Sequence, residues 1–163
     1  ASWNIHHVVY AGEKIVVTAT ENKKYGINEN ANLYCYDREN KKLQLISQPD
    51  RSYYSSVGSD CRYGGGKSMV GEEDGITYIT TERNWSKINH DEGSVDCMDK
   101  KNGRLVYVAM RKTGLQELYT VEHGEEVCLT QINAMALEGK SVVTPKMIRF
   151  TDTDGVEIDG SRN

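Results

Sequence analysis

The sequence predicts an all-β chain of antiparallel four-stranded meanders, arranged as about three blades of a β-propeller. Three observations predict it. The chain holds 10 Tyr and 2 Pro, and its Val, Ile and Thr cluster in short runs; β-branched and aromatic residues suit a pleated, half-buried surface. Its 15 Gly stand mostly beside Asp, Asn, Glu or Lys, the composition of tight turns. Modules of run and turn then recur. Ile15 and Leu105 open matching runs 90 residues apart, which is two repeats of about 45, and four-stranded modules with that period mark propeller blades.

The first predicted blade is 1–49. Ile5–Tyr10 is an extended run closed by a turn at Ala11-Gly12-Glu13. Lys14–Thr20 follows as a strongly β stretch. The polar segment Glu21–Ala31 is a loop. Asn32–Asp37 alternates apolar and aromatic residues, Arg38–Lys42 turns, and Leu43–Ser47 is a fourth strand. The third blade, 94–131, repeats this plan. Ser94–Met98 passes through Asn102-Gly103 into Arg104–Met110, then come Gln116–Val121, a turn at Glu122–Glu126, and Val127–Thr130. Asn-Gly between apolar runs is the strongest short hairpin signal. Lys-Ile-Val-Val-Thr-Ala-Thr answers Arg-Leu-Val-Tyr-Val-Ala-Met, and Asn-Leu-Tyr-Cys-Tyr answers Glu-Leu-Tyr-Thr-Val.

The middle blade, 50–93, is irregular. A Tyr-, Ser- and Gly-rich loop, Asp50–Gly66, comes first. A short strand from Met69 turns at Asp74-Gly75 into Ile76–Thr81, which begins 61 residues after Ile15 but 29 before Leu105. Ser86–His90 begins a third strand, and no fourth follows before Glu92-Gly93. Either the outer strand is lacking or a segment is missing; the second reading predicts a chain break between Ile88 and Gly93. In the last stretch, 132–163, Asn133–Gly139 predicts one or two helical turns ended by Gly139. Met147–Thr151 and Val156–Asp159 flank Asp152-Thr153-Asp154-Gly155 as a connector hairpin.

Charge and composition exclude several classes. Lys and Arg number 20 against 24 Asp and Glu, for a net charge of −4. The longest basic runs are pairs such as Lys23–Lys24, Lys41–Lys42 and Lys100–Lys101, which is no footprint for nucleic acid. No apolar stretch reaches the roughly 18 residues of a membrane span, and Ala-Ser-Trp-Asn-Ile-His-His is neither a signal nor a transit peptide. Cys35, Cys61, Cys97 and Cys128 are spaced 26, 36 and 31 residues apart, which matches no zinc or redox motif. Four separate thiols in a reducing compartment predict a cytoplasmic protein. A hydrophobic content of 37% is low for a globular domain, so the core is thin or the domain incomplete.

The candidate chemical motifs fail one by one, and the prediction is no catalytic, cofactor-binding or metal-binding residue. Gly64-Gly65-Gly66-Lys67-Ser68 resembles a phosphate loop, but Cys61 stands where the pattern needs Gly, and a strand and hairpin follow instead of a helix. Gly66-Lys67-Ser68-Met69-Val70 misses the second Gly of a nucleophile elbow. Asp152, Asp154 and Asp159 lack the remaining ligands of a calcium loop. His6 and His7 are neighbours on a strand and are expected to face opposite ways. His90 and His123 fall in turns. Glu72-Glu73 and Glu125-Glu126 could meet a cationic group, but solvated turns explain them. Trp3 and Trp85 are expected in the core or between blades.

The repeats and the last segment together resemble a known family. Blades that pass from Asn-Leu-Tyr or Glu-Leu-Tyr strands to Leu-Ile-Ser or Leu-Thr resemble the propeller of the prolyl oligopeptidase family of serine peptidases, closest to its bacterial acylaminoacyl-peptidase-like members. Ile148–Gly160 resembles the stretch that leaves the last blade for the α/β-hydrolase domain, and Ser56–Gly66 resembles a loop of the bacterial members. The resemblance implies a propeller fragment without catalytic residues, since the family's Ser-Asp-His triad lies in the hydrolase domain. It implies as partners that hydrolase domain, the remaining blades and short peptides. Open blade faces predict self-association. A stand-alone β-domain that binds a ligand or partner, and a piece of another propeller enzyme such as a lactonase, are the alternatives.

Overall fold

Both faces of Lys14–Thr20 (β2) are apolar or hydroxyl-bearing, and Val16 through Thr20 are all buried. Such a strand needs a neighbour on each edge and cover on each face. The edges are met by Asn4–Ala11 (β1) and Asn32–Asp37 (β3), and Lys42–Ser47 (β4) completes an antiparallel sheet in the order β1-β2-β3-β4. The computed structural model describes residues 2–21, 29–48, 51–53, 66–82, 85–87, 93–144 and 146–162. The Ile88–Gly93 break, most of the Asp50–Gly66 loop, Cys61, His90 and the Trp85 side chain lie outside the described residues.

The same plan recurs in Ser94–Lys101 (β9), Arg104–Met110 (β10), Glu117–Glu122 (β11) and Glu125–Cys128 (β12), ordered β12-β11-β10-β9. Asn102 and Gly103 both take positive φ at the β9–β10 turn, the geometry that the right-handed twist of a two-residue hairpin demands. Strands β2, β3 and β10 have the expected bounds, and the others of the first and third sheets shift by a few residues at their ends.

The middle sheet departs from expectation. Met69–Glu72 (β5) pairs with Gly75–Tyr78 (β6), while Thr80–Glu82 (β7) pairs with Trp85–Lys87 (β8). The single strand expected over Ile76–Thr81 is interrupted at Ile79. That residue donates its N–H to the Ser68 carbonyl at 2.8 Å, one rung beyond the β5–β6 ladder, and its side chain is fully buried; past it the chain changes partner from β5 to β8.

The three sheets stack through their first strands. β5 packs against β1 on one side and β9 on the other. Met69, Val16, Leu33 and Tyr53 form the first seam; Val70, Ile79, Val95, Met98 and Tyr107 form the second. The turns Gly12-Glu13, Glu73-Asp74 and Asn102-Gly103 fall at offsets of 61 and 90 residues, so the three first strands are in register. This is the arrangement of propeller blades around an axis. The outer face of the first sheet is only partly covered: Val17, Ala19 and Tyr34 are buried on it. Val8, Tyr10 and Leu45 point away from β5 and are exposed, Tyr10 to 64%. Val106 faces outward on the third sheet. The chain exposes 11595 Å² for 18.3 kDa, where a compact monomer of that mass exposes about 8100 Å².

Beyond β12 the expected helical segment is a single 3₁₀ turn, Ala134–Leu137, with no buried residue, and Gly139 follows at φ +70°. Lys146–Thr151 (β13) and Glu157–Arg162 (β14) form a hairpin. One face carries Ile148, Phe150 and Ile158; the other carries Arg149, bonded to Asp159 at 2.8 Å. Trp3, expected in the core or between blades, is 40% exposed and meets Tyr34 edge-on at 5.2 Å.

A Cβ on Gly71 would lie 1.9 Å from the Tyr10 carbonyl oxygen, a backbone atom that cannot swing aside. Gly71→Ala is therefore expected to destabilise the protein by about 2 kcal/mol or more, read as a lowered urea midpoint. Gly103→Ala, with open space at its Cβ but φ +75°, strains one turn and leaves the seam intact; its cost is about 1 kcal/mol.

Candidate functional site

The polar groups that chemistry could use gather at three places along the stacked strands. The first is built on a bulge. Ile5 pairs with Ala19 and His7 with Thr18, leaving His6 as an extra residue in β1. A bulge sets two residues against one partner and re-aims side chains. Both histidine rings therefore reach the same face of β2: His6 Nε2 lies 2.9 Å from Thr20 Oγ1, and His7 Nδ1 lies 3.1 Å from Thr18 Oγ1. The expectation that the two rings face opposite ways is overturned, because strand alternation fails at a bulge.

His7 also spans the seam. Its Nε2 lies 2.9 Å from Ser68 Oγ, and that hydroxyl donates to the Tyr53 carbonyl at 3.3 Å. With the Ser68 proton on Tyr53, His7 donates from Nε2 and accepts from Thr18 at Nδ1; this tautomer is assigned from the bonding pattern. Burial, with a smaller contribution from His6, holds the His7 pKa below its ordinary value.

A serine and histidine at this distance resemble a nucleophile and its base. Three features favour architecture over catalysis. Ser68 is buried. Its proton is directed to a carbonyl. A neutral Thr18 hydroxyl stands where a carboxylate would stabilise an imidazolium. The glycine-rich stretch before Ser68 leads into β5, not a helix, and Lys67 is paired with Asp99 at 2.8 Å.

The second cluster joins the hairpin tips. Lys100 Nζ lies 3.3 Å from both Glu72 and Asp74, and Glu72 accepts the Gly103 N–H at 3.0 Å. Lys100 and Glu72 side chains are only 16% and 17% exposed. Glu72 is thus neither a solvated turn residue nor free to meet an outside cation; it fastens the second sheet to the third. Shallow clefts of about 500–600 Å³ flank these tips.

The third cluster lies on β10–β12. Arg111 forks onto Glu126, with Nε–Oε1 at 2.8 Å and Nη2–Oε2 at 2.6 Å, while the Tyr107 hydroxyl donates to Glu126 at 2.5 Å. The guanidinium sits over Tyr107 and Tyr119, 5.7 and 5.4 Å from the ring centroids. Glu126, like Glu72, is held by its own chain. Burial first, then Cys128, raises the Tyr119 pKa to about 12.

The remaining sequence candidates serve turns. Asp152 accepts the Asp154 and Val156 N–H groups at 2.9 Å each, and His123 sits at φ +54° in the β11–β12 turn. No group of three or more His, Cys, Asp or Glu among the described residues could hold a metal ion.

The fold is a partial β-propeller with a terminal hairpin. No family model and no curated protein matches the sequence. Among solved structures, the chain is similar to Pyrococcus horikoshii acylaminoacyl peptidase, with a TM-score of 0.70 and 21% identity over 96% of its length. It is equally similar to an acylaminoacyl peptidase in complex with Z-Gly-Gly-Phe-chloromethyl ketone, with a TM-score of 0.71 and 21% identity over 96% of the chain. Puromycin hydrolase matches 98% of it with a TM-score of 0.62 and 14% identity. The chain spans 24% of the two peptidases and 25% of puromycin hydrolase.

Glu126→Gln is expected to lower stability near neutral pH by about 1–2 kcal/mol, allowing for its partial exposure. The Arg111 hydrogen bonds depress the Glu126 pKa below 4.5, so the ionic contribution is present above that value and fades as pH falls through the depressed one. Urea midpoints of the two proteins should converge in acid.

Proposed function

We propose that this chain is a non-catalytic propeller segment of a serine exo- or oligopeptidase related to acylaminoacyl peptidase. In this reading 1–49, 50–93 and 94–131 are successive blades, and 132–163 is the connector toward an α/β-hydrolase domain. The observation that carries it is the fold match over nearly the whole chain, from the first sheet to the terminal hairpin, to a quarter of enzymes about four times as long. The apolar side chains left exposed on the outer faces of the first and third sheets, Val8, Tyr10, Leu45 and Val106, support it: a propeller segment leaves such faces for further blades. The hairpin β13–β14 supports it too, since two strands alone are marginal in water and a wider sheet would cover its exposed Ile148, Phe150 and Ile158.

In the intact enzyme the propeller gates short peptides toward the hydrolase domain and excludes folded proteins. The chemistry belongs to the partner domain, and this chain carries no catalytic group of its own. The free thiols Cys35, Cys97 and Cys128 suit a reducing, cytoplasmic setting. No helix among the described residues is long and apolar enough to cross a membrane.

The deciding experiment is to read the gene beyond residue 163. Continuation into an α/β pattern with Gly-x-Ser-x-Gly, then Asp, then His supports the proposal; a stop codon there sinks it. The chain itself should not hydrolyse acylaminoacyl anilides. It should also self-associate through its open faces, as a dimer that replaces missing neighbours. Light scattering is expected to show that dimer, and Val8→Lys on the open face to return a monomer. A wild-type monomer at high concentration would overturn the self-association.

A further inference from the structure

The third sheet ends differently from the first. Their third strands are equivalent by register: Tyr34 pairs with Val17 and Leu33 with Thr18, as Tyr119 pairs with Tyr107 and Leu118 with Val108. The same register sets Asn32 opposite Ala19 and Glu117 opposite Ala109. Asn32 turns its amide onto the Tyr34 hydroxyl of its own strand, at 3.4 Å. The shared plan of the two sheets therefore does not demand an acid at this position, and the Glu117 carboxylate needs another reason.

That reason lies just past β12. The Leu129 N–H donates to the Leu118 carbonyl at 2.7 Å, and the Leu118 N–H donates to Thr130 Oγ1 at 3.0 Å, so the pairing runs on beyond the strand. The chain then folds over the Glu117 carboxylate. Oε2 accepts the Thr130 hydroxyl at 2.5 Å and the Ile132 N–H at 2.9 Å; Oε1 accepts the Asn133 N–H at 2.6 Å. The Asn133 side-chain amide donates to the Gln116 carbonyl, and Gln116 Nε2 reaches Asp96 on β9 at 3.1 Å. Hydrogen bonds to an ionised carboxylate are the stronger kind. Apolar packing does not hold this stretch: Ile132 is 74% exposed, and the Ala134–Leu137 turn that follows buries no residue.

We propose that Glu117 is a strap: its carboxylate binds Thr130–Asn133 to the first residue of β11, so the chain leaves the third sheet as a fixed extension, and its path toward β13–β14 is free to change only from the Ala134–Leu137 turn onward. A carboxylate suits the task because both of its oxygens only accept. Two peptide N–H groups and one hydroxyl converge on it. An amide in its place would set a donor against one of those N–H groups. Asn133 closes the strap from the other side, since its backbone is held by Glu117 and its side chain by Gln116. The inference rests on the geometry of the chain and is independent of which enzyme the propeller belongs to.

Hydrogen exchange of individual amides in the full chain tests it. In the wild type, the Ile132 and Asn133 N–H groups should be protected, although the Ile132 side chain stands in water. In Glu117→Gln their exchange should rise about tenfold, the effect of losing one hydrogen bond to a charged group, while the β9 and β10 amides keep wild-type protection. A carboxylate that merely supported the whole sheet would instead lower protection in β9 and β10 as much. Asn133→Ala leaves Glu117 in place and should speed exchange at Ile132 by a smaller factor; it decides the matter if Glu117→Gln does not fold. Unprotected Ile132 and Asn133 in the wild type, unchanged exchange at both in Glu117→Gln, equal loss in β9 and β10, or unchanged exchange in Asn133→Ala would each overturn the proposal.

Discussion

Neighbouring sheets meet through their first strands, and at Gly71 they meet backbone to backbone. The Tyr10 carbonyl occupies the space a side chain would need, so β1 and β5 approach more closely than strands with side chains on both sides allow. That approach brings Met69 against Val16 and Leu33 and aligns the turns at Glu73 and Gly12. It also brings His7 within reach of Ser68. On the other side, Gly66 plays a related part, because a Cβ there would fall 2.6 Å from the Cys97 Cβ. At Gly71, inside β5, glycine trades strand propensity for proximity.

Once the first strands are this close, the choice of polar side chains between them decides how rigid each seam is. Lys100, Glu72 and the Gly103 N–H tie two hairpin tips together where the side chains are mostly shielded from water, the setting in which paired charges are hardest to separate singly. The Arg111–Glu126–Tyr107 cluster stiffens the third sheet itself, joining the end of β10 to β12 across β11. The hydroxyl and imidazole bridge of the first seam lacks such pairing.

Much of this plan was legible in the sequence. Lys14–Thr20, Asn32–Asp37 and Arg104–Met110 announce themselves because their residues have strong β preference and are bounded by turns of Gly, Asn-Gly or, after Asp37, polar residues capped by the Asp37 carboxylate. The terminal hairpin is legible for the same reason. The break at Ile79 was not, since nothing local reveals that the chain changes partner there from β5 to β8. The His6–His7 arrangement was misread because alternation assumes a regular strand, and a bulge is fixed by the partner strand. Yet a clue was present. Offsets of 61 and 90 residues align His7 with Ser68 and Cys97, and His6 with Asp96, and the β9–β10 pairing skips Asp96 as the β1–β2 pairing skips His6. Trp3 and the paired Glu72 and Glu126 depend on long-range neighbours that composition does not disclose.

The meander topology has a consequence for how the molecule forms. Every strand pair joins strands consecutive in the chain, so sheet formation requires only short loop closures and is fast for a β-protein. Among the described residues, the strand contacts most distant in sequence are those of β1 with β5 and β5 with β9. Each sheet can therefore assemble as it leaves the ribosome and wait, with one apolar face uncovered, for the next to be synthesised. The order of translation becomes the order of stacking, and the interval between sheets is the period when a wrong neighbour can slip in.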